Sequence, residues 1–395
     1  MKQQRCIIAA KHYVIALFGM FACVANAEAA GAGAAGPGAA GIEKPMFTFG
    51  GFGSLGVSYS SMGLGDYVPD SSYPSGPGIS GAWSATNDTR IAGQLAAQFT
   101  PKLSAVLQVD SEFHSGNSYQ PEIEFANVRY DVTPDASIRA GRLSLPTFLE
   151  SENRDIGYTY AWIHPPIEVY RQEPITHADA VDVTYRLQTG EVGNSIKALY
   201  GRSTFESNDF VQISDLSSKN LWGIFDTVEY GSTILHVGYQ QRETDSEDLL
   251  TDENGSLVTE SDLSAGVQYD PGNWFLMSEW IQRESTYKTG AMYVTGGYRV
   301  KKFTPYLTYA QNSPGSFLPG FPPPSANAVV LANRAQSTVS LGVRWDFIKD
   351  TDVKFQYDQV KLSDDSNGFL ANVPINVTLY GQTFHVISAV VDFVF

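Results

Sequence analysis

The chain has 395 residues, with 26 basic and 42 acidic side chains and a formal net charge of −16. Such acidity opposes binding to a phosphate backbone, so nucleic acid is not expected as a partner. Its two cysteines are Cys6 and Cys23. Beyond residue 23 the chain therefore offers no disulfide, thiolate metal site or cysteine nucleophile.

The amino terminus has the pattern of an export signal. Lys2, Arg5 and Lys11 precede an apolar run from Tyr13 to Val24, and Ala25-Asn26-Ala27 gives a small-residue cleavage site. We therefore predict a signal peptide over 1–27, the loss of which changes the formal charge from −16 to −19. Residues 28–46 are rich in glycine and alanine and are predicted to be a flexible leader.

A second interpretation of this region is a lipoprotein signal that ends at Cys23. Ala22 precedes that cysteine as such a signal requires, but Met20 and Phe21 fit the pattern poorly. The two interpretations differ in the first residue of the exported protein, which is near Glu28 in one and Cys23 in the other.

From Phe47 onward, apolar and polar residues alternate in segment after segment, which is the signature of β-strands with one apolar face. No later run reaches about 18 consecutive apolar residues, so no helical membrane anchor is expected. The predicted strands lie near residues 47–59, 89–99, 103–113, 123–132, 136–142, 179–188, 195–204, 221–230, 233–242, 262–270, 274–283, 291–300, 303–311, 337–347, 353–362 and 384–395.

The connections between these segments alternate between short and long. The seven short ones are Thr100-Pro101-Lys102, Thr133-Pro134-Asp135, Gln188 to Asn194, Gly231-Ser232, Pro271-Gly272-Asn273, Lys301-Lys302 and Ile348 to Asp352. A soluble β-sandwich also alternates, but it needs fewer strands. The pattern predicts an all-β fold over 47–395, a transmembrane antiparallel β-barrel of about 16 strands with short periplasmic turns and long external loops.

The last strand fits this barrel. Ile387, Ala389, Val391, Phe393 and Phe395 share one face, and the other face carries Ser388 and Asp392 together with valines. An aromatic end suits the membrane–water boundary. Taken alone, the stretch would also fit a buried last strand of a soluble sandwich.

Three stretches resemble the outer-membrane porins of Gram-negative bacteria. They are Phe47-Thr-Phe-Gly-Gly-Phe-Gly53, Ala126-Asn-Val-Arg-Tyr130 through Arg139-Ala-Gly-Arg-Leu143, and Val391-Asp-Phe-Val-Phe395. The resemblance implies an outer-membrane channel for passive diffusion of small hydrophilic solutes and ions, usually a trimer and without a cofactor. Its surroundings would be the lipid bilayer and lipopolysaccharide. The resemblance also implies that the third loop folds inward, with its acids facing arginines on the wall.

The third long connection, 143–178, is rich in aromatic residues and proline and is too long for an ordinary structureless link. Its candidate pore acids are Glu150, Glu152, Asp155, Glu168 and Glu173. Strand phase places four candidate wall arginines on the lumen side: Arg90, Arg129, Arg139 and Arg186. The two sets would set up a transverse field with mild cation preference. The alternative is local pairing of these arginines with Asp110, Asp131 and Asp182.

Other functions have weaker support. The histidines that follow the predicted signal lack metal spacing, so no metal site is expected. A plugged structural or adhesive barrel remains an alternative, and so does a barrel enzyme that uses Ser388 and His385. Strand parity puts those two side chains on opposite faces. Small residues on the first strand, Gly51, Gly53 and Gly56, would allow close approach of a neighbour in a trimer.

Overall fold

The computed structural model describes residues 46–114, 116–207, 214–245, 257–319, 333–374 and 377–395. The predicted signal peptide over 1–27 lies outside the described residues, and so does the predicted leader except Met46.

The described chain forms one antiparallel sheet in which sixteen strands are long and two, β2 and β15, have two residues each. The strands are β1 Phe47–Ser60, β2 Trp83–Ser84, β3 Arg90–Thr100, β4 Leu103–Glu112, β5 Glu122–Asp131, β6 Ala136–Ser144, β7 His177–Thr189, β8 Val192–Ser207, β9 Ser214–Tyr230, β10 Thr233–Asp245, β11 Val258–Tyr269, β12 Trp274–Glu284, β13 Tyr287–Tyr298, β14 Phe303–Asn312, β15 Ser316–Phe317, β16 Gln336–Ile348, β17 Thr351–Leu362 and β18 Thr383–Val394. Each predicted segment corresponds to one long strand, which confirms the predicted strand number.

The sheet closes on itself through β1. One edge of β1 pairs with β18, from Phe52 opposite Val394 to Ser60 opposite Val386. Its other edge pairs with β3, from Phe47 opposite Ala97 to Ser54 opposite Arg90. Among the described strands, closure leaves no long edge open to another chain. The predicted antiparallel barrel is confirmed.

Short turns collect at one end of the barrel, here called the short-turn end, and the opposite end is the long-loop end. In two of these turns the chain needs a positive φ, which glycine adopts without steric cost: Gly190 has φ of 62° and Gly231 has φ of 59°. The long-loop end carries the 61–82 and 363–382 connections and the 145–176 segment.

The two faces of each strand differ as the alternation predicts. On β14, Phe303, Leu307 and Tyr309 point outward and are exposed, whereas Thr304 and Thr308 point inward and are buried. The outer wall is therefore an apolar belt and the interior is polar, the arrangement expected of a barrel in lipid around an aqueous or polar lumen.

The closing seam shows what the glycines of β1 do. A side chain on Gly51 would collide with the Phe395 ring, and one on Gly53 would collide with the Phe393 ring. A side chain on Gly56 would meet Asp88 instead. These glycines make room for the terminal aromatic rings and for packing inside the barrel. Side chains of the same chain therefore already lie over these three glycines, at which the sequence predicts close approach of a neighbouring subunit.

The 145–176 segment contains a 3-10 turn, Gly157–Thr159, and one short helix, α1, Ile167–Tyr170. Within the described part of the chain, no helix has the length and apolar character needed to cross a bilayer.

Candidate functional site in the barrel lumen

The 145–176 segment packs against inward-facing side chains of β12 to β14. Trp162 donates from Nε1 to the hydroxyl oxygens of Thr295 and Thr308, at 3.2 and 3.0 Å. Its ring meets that of Tyr293 edge-on at 5.7 Å between centroids. Phe148 and Tyr170 belong to the same buried cluster. Aromatic burial and these hydrogen bonds hold the segment to this part of the wall.

Three of the candidate acids are buried at the contact between the segment and the wall. Glu168 accepts from Gln336 Nε2 at 2.7 Å and also from the Thr338 hydroxyl. Glu173 pairs with Arg242 at 2.6 Å. Glu150 is 4% exposed. Burial, and then the nearby Glu279 carboxylate, raise the pKa of Glu150 to about 7. Glu168 and Glu173 therefore fasten the segment to the wall, whereas Glu150 is buried beside Glu279 and accepts a hydrogen bond from Asn153 of the same segment.

Arg242 is the centre of a closed ion-pair network on β10 to β12. Its guanidinium contacts Glu173 at 2.6 Å, Glu260 at 2.8 Å and Asp262 at 3.3 Å. Arg283 joins from β12, at 2.8 Å from Glu260. The Arg242 side chain is 1% exposed, so each member depends on the others for charge balance. Sequence reasoning missed this network because the two acids of β11 and both arginines carry no motif.

The other two candidate acids face the open part of the lumen. Glu152 is 45% exposed and lies 2.9 Å from Lys197 Nζ and 3.6 Å from Arg139. The positive charge of Lys197 lowers the pKa of Glu152 to about 2, against the opposing effect of burial and with help from Arg139. Asp155 pairs with Arg90. The segment thus presents Glu152 to Lys197 and Arg139, and Asp155 to Arg90.

Three of the candidate arginines lie together near the short-turn end. Arg129 is directly opposite Arg139 across β5 and β6. Arg129 lies 2.8 Å from Asp131, and Arg139 lies 2.5 Å from Asp182. Local pairing, the alternative considered from the sequence, therefore holds for both residues. Within the described residues Arg186 makes no ion pair, and the charged groups near it are Arg129, Arg139, Asp131 and Glu152.

Arg90 is not part of this group. It is opposite Glu112 across β3 and β4 and lies 3.0 Å from that carboxylate. On β4, Glu112 is eight residues above Ser104, the residue opposite Arg129. At a rise of about 3.3 Å per residue, the two arginines are separated by roughly 26 Å along the strand. The predicted set of four wall arginines is thus split between two levels. Strand parity fixes the side of a residue but not its height.

The upper level surrounds a cavity of about 360 Å³ at the long-loop end. It is lined by six carboxylate residues, three arginines and three histidines, in addition to apolar and neutral polar side chains. These charged or titratable residues are Asp70, Asp88, Glu112, Glu122, Glu124, Asp155, Arg90, Arg142, Arg154, His114, His164 and His177. We call this group the upper section.

The lower level, which we call the lower section, comprises Arg129, Arg139, Arg186, Lys197 and the acids that face them, Asp131, Asp182 and Glu152. Sequence reasoning did not select Lys197. The signal was present, because Lys197 alternates with the outward-facing Ile196 and Ala198 inside a predicted strand. No group of described residues has the arrangement of a metal site.

Comparison with known proteins gave matches at the level of structure. No family model and no curated protein matches the chain. The outer-membrane channel DcaP of Acinetobacter baumannii is 13% identical, with a TM-score of 0.58, over 88% of this chain and 97% of that one. An anion-selective porin from Comamonas acidovorans is 13% identical, with a TM-score of 0.56, over 88% of this chain and 99% of that one.

A third match is a trimer form of OmpT, an outer-membrane protein of Vibrio cholerae. It is 13% identical, with a TM-score of 0.55, over 89% of this chain and 100% of that one. At such low identity these likenesses establish the fold alone. The chain has the barrel fold of the outer-membrane porins, as its sequence predicts.

Proposed function

We propose that the protein is an outer-membrane channel of a Gram-negative bacterium through which small hydrophilic solutes and ions diffuse passively. The observation that carries this proposal is a cavity lined by charged side chains inside a barrel whose outer belt is apolar. Charged groups on a lipid-facing wall are costly, whereas charges in a lumen are tolerated because water solvates them. The surroundings would be the bilayer and lipopolysaccharide.

The 145–176 segment would narrow this channel. It fills the side of the interior formed by β10 to β18 and leaves Glu152 and Asp155 opposite basic groups on the remaining wall. In a narrow aqueous passage with walls of low dielectric constant, these fixed charges act strongly on passing ions. We propose Glu152, Asp155, Arg90, Arg129, Arg139 and Arg186 as the pore residues and assign anchoring roles to Glu168 and Glu173. Glu150 is buried and is not assigned to the pore.

Reconstitution into a planar bilayer tests the proposal. We expect discrete current steps as single barrels insert. We also expect vesicles that contain the protein to swell in solutions of small neutral sugars, because the sugars enter through the channel. A plugged structural barrel is the second candidate, because eleven buried residues form the cluster that holds the segment to the wall. An absence of conductance at all voltages, with correctly folded protein in the bilayer, would contradict the channel and favour that alternative.

An enzymatic role has no support from the pair considered in the sequence. Ser388 is 2% exposed and points inward, whereas His385 points outward and contacts the Tyr357 hydroxyl at 2.8 Å. These two side chains lie on opposite faces of β18 and cannot act as nucleophile and base on one substrate.

We propose a homotrimer as the assembly. The trimer form of the similar Vibrio cholerae protein supports this, whereas the glycines of β1 do not. The mass of the protein in mild detergent tests it, and a monomer as the sole species would contradict it. We also propose that residues 1–27 are removed on export. The intact mass of the exported chain checks this, and a lipid-modified start at Cys23 would overturn it.

A further inference from the structure

We propose that the channel is bipolar along its axis, with a cation-attracting upper section in series with an anion-attracting lower section, so that its ionic current rectifies. The inference rests on the proposed channel function and deepens it. Instead of one constriction that has a transverse field, the channel then has two charged passages, and each passage selects its own counter-ion.

The upper section has an excess of negative charge. Six carboxylates and three guanidiniums line the cavity. With histidine counted as neutral, this is an excess of three negative charges. Some of these charges are paired, as in Arg154 with Asp70 at 2.6 Å and Arg90 with Glu112 at 3.0 Å. Glu122 is 56% exposed, and the one ion-pair partner of Glu124 among the described residues is a histidine, His177 at 3.3 Å.

The lower section has the opposite excess. Four cationic side chains, Arg129, Arg139, Arg186 and Lys197, face the three carboxylates of Asp131, Asp182 and Glu152. Arg186 is the member without an ion pair among the described residues. Asp131 and Glu152 are near enough to act on Arg186, but three carboxylates against four cations leave the section with one net positive charge, which attracts a mobile anion from solution.

The two sections are far enough apart to act separately. The eight residues of β4 between the levels of Arg90 and Arg129 span roughly 26 Å along the strand. With a strand tilt of about 40°, that leaves roughly 20 Å along the barrel axis. The sections come nearest to each other on β6, where Arg142 and Arg139 are three residues apart, about 10 Å along the strand. Because the screening length at physiological salt is about 8 Å, the fields of the two sections overlap only where the sections adjoin.

Two oppositely charged passages in series conduct unequally in the two directions. When the long-loop side is positive, cations enter through the upper section and anions enter through the lower section, and both accumulate where the sections meet. The reverse voltage drives both kinds of ion outward and depletes the meeting point. The current is therefore larger when the long-loop side is positive.

Current–voltage curves of the full chain in planar bilayers test the proposal. The protein is added from one side, so that insertions share an orientation, in symmetric 0.1 M KCl. One variant, Glu112→Gln with Glu124→Gln, weakens the upper section. The other, Arg186→Gln with Lys197→Gln, weakens the lower section. Lys349→Gln is the matched control, because that side chain lies in a short turn and is 92% exposed.

We expect unequal currents at opposite voltages for the parent chain and for Lys349→Gln. Both double variants should lose this asymmetry, but their reversal potentials in a salt gradient should move in opposite directions, toward anions for the first and toward cations for the second. In 1 M KCl the asymmetry should fade, because the screening length falls to about 3 Å.

Symmetric currents through an open channel of the parent chain would overturn the bipolar arrangement and leave the channel function intact. A shift of both double variants toward the same ion would overturn it as well. If no conductance is seen at all, the proposed function itself fails.

Discussion

The two sides of the barrel interior use the same residue types for different purposes. On the side formed by β10 to β18, Glu168 and Glu173 are about 1% exposed and join the 145–176 segment to the wall. On the side formed by β3 to β8, Glu152 of the same segment is 45% exposed beside Lys197. A buried carboxylate has to be paired with protein groups, because an unpaired charge without water is costly, and it therefore acts as a structural contact. A carboxylate in contact with water remains able to act on ions.

The largest expected effect comes from breaking the buried network. Arg242→Ala leaves Glu173 and Asp262 without their main cation and should lower the free energy of unfolding by about 3–5 kcal/mol. Urea unfolding in lipid vesicles, followed by tryptophan fluorescence, measures this. The control is Lys288→Ala, whose pair with Glu284 has side chains 42% and 39% exposed and whose loss should cost less than about 1 kcal/mol. Equal losses in the two variants would contradict the distinction between buried and exposed pairs.

A second effect is pH dependence on the packed side. The pKa of Glu150 is raised from 4.5 to about 7 by burial and then by Glu279, so the folded protein keeps a proton that the unfolded chain releases. Stability from this group is therefore complete below pH 4.5 and is lost as the pH rises through 7. Glu150→Gln should be more stable than the parent chain at pH 8, by on the order of 1–3 kcal/mol, and no more stable at pH 4. A constant difference across that range would show that Glu150 does not hold the proton.

A third effect concerns selectivity on the open side. Replacing Arg129 and Arg139 with alanine should raise cation selectivity and enlarge the pore modestly, because two cations of the lower section are removed. Reversal potentials measure this, and unchanged values would show that these arginines do not act on permeating ions.

Arg90→Gln then tests whether the two levels act independently on ion selection. Since Arg90 lies roughly 26 Å along the strand from Arg129, its effect on the free energy of ion selection should add to that of the alanine pair within about 0.5 kcal/mol. Strong coupling would instead indicate one cluster, as the sequence suggested.

The smallest expected effect is that the charge of Glu152 does not change between pH 8 and pH 4. Lys197 lowers the pKa of Glu152 to about 2, so this carboxylate stays ionised from neutral pH down to about pH 3. Its stabilising contribution is complete above pH 4.5 and is lost as the pH falls through 2. The reversal potentials of the parent chain and Glu152→Gln should therefore differ by the same amount at pH 8 and pH 4. A difference that vanishes by pH 5 would mean that Lys197 does not hold the charge.

The strands and their outward faces could be predicted from the sequence. The positions of the charged side chains along the barrel axis could not be predicted from single strands. Alternation such as Val339, Leu341 and Val343 fixes both the strand and its outward face, because the side-chain period of a strand is two. The inward side of Arg90 and Arg129 followed from the same rule. Their separation depends on the register of β3, β4 and β5 together, which parity on single strands does not contain.

The roles of the acids in the 145–176 segment could not be read from the sequence. Glu152 and Glu168 are the same residue type in the same connection, and only the path of the segment decides that one faces Lys197 and the other Thr338. That path is set by distant contacts, such as Trp162 with Thr295 and Thr308. The sequence close to each acid does not indicate which distant residues it will contact.

The most direct test of the account is the reactivity of single cysteines in an open channel. The parent chain has no cysteine beyond Cys23, so each substituted thiol can be followed alone. We predict that a charged thiol reagent modifies Glu152→Cys quickly and lowers the bilayer current. Thr295→Cys, at a position 1% exposed beneath Trp162, should stay unmodified and conduct as before. Equal reaction of both, or a faster reaction at Thr295→Cys, would contradict an open side and a packed side within one barrel.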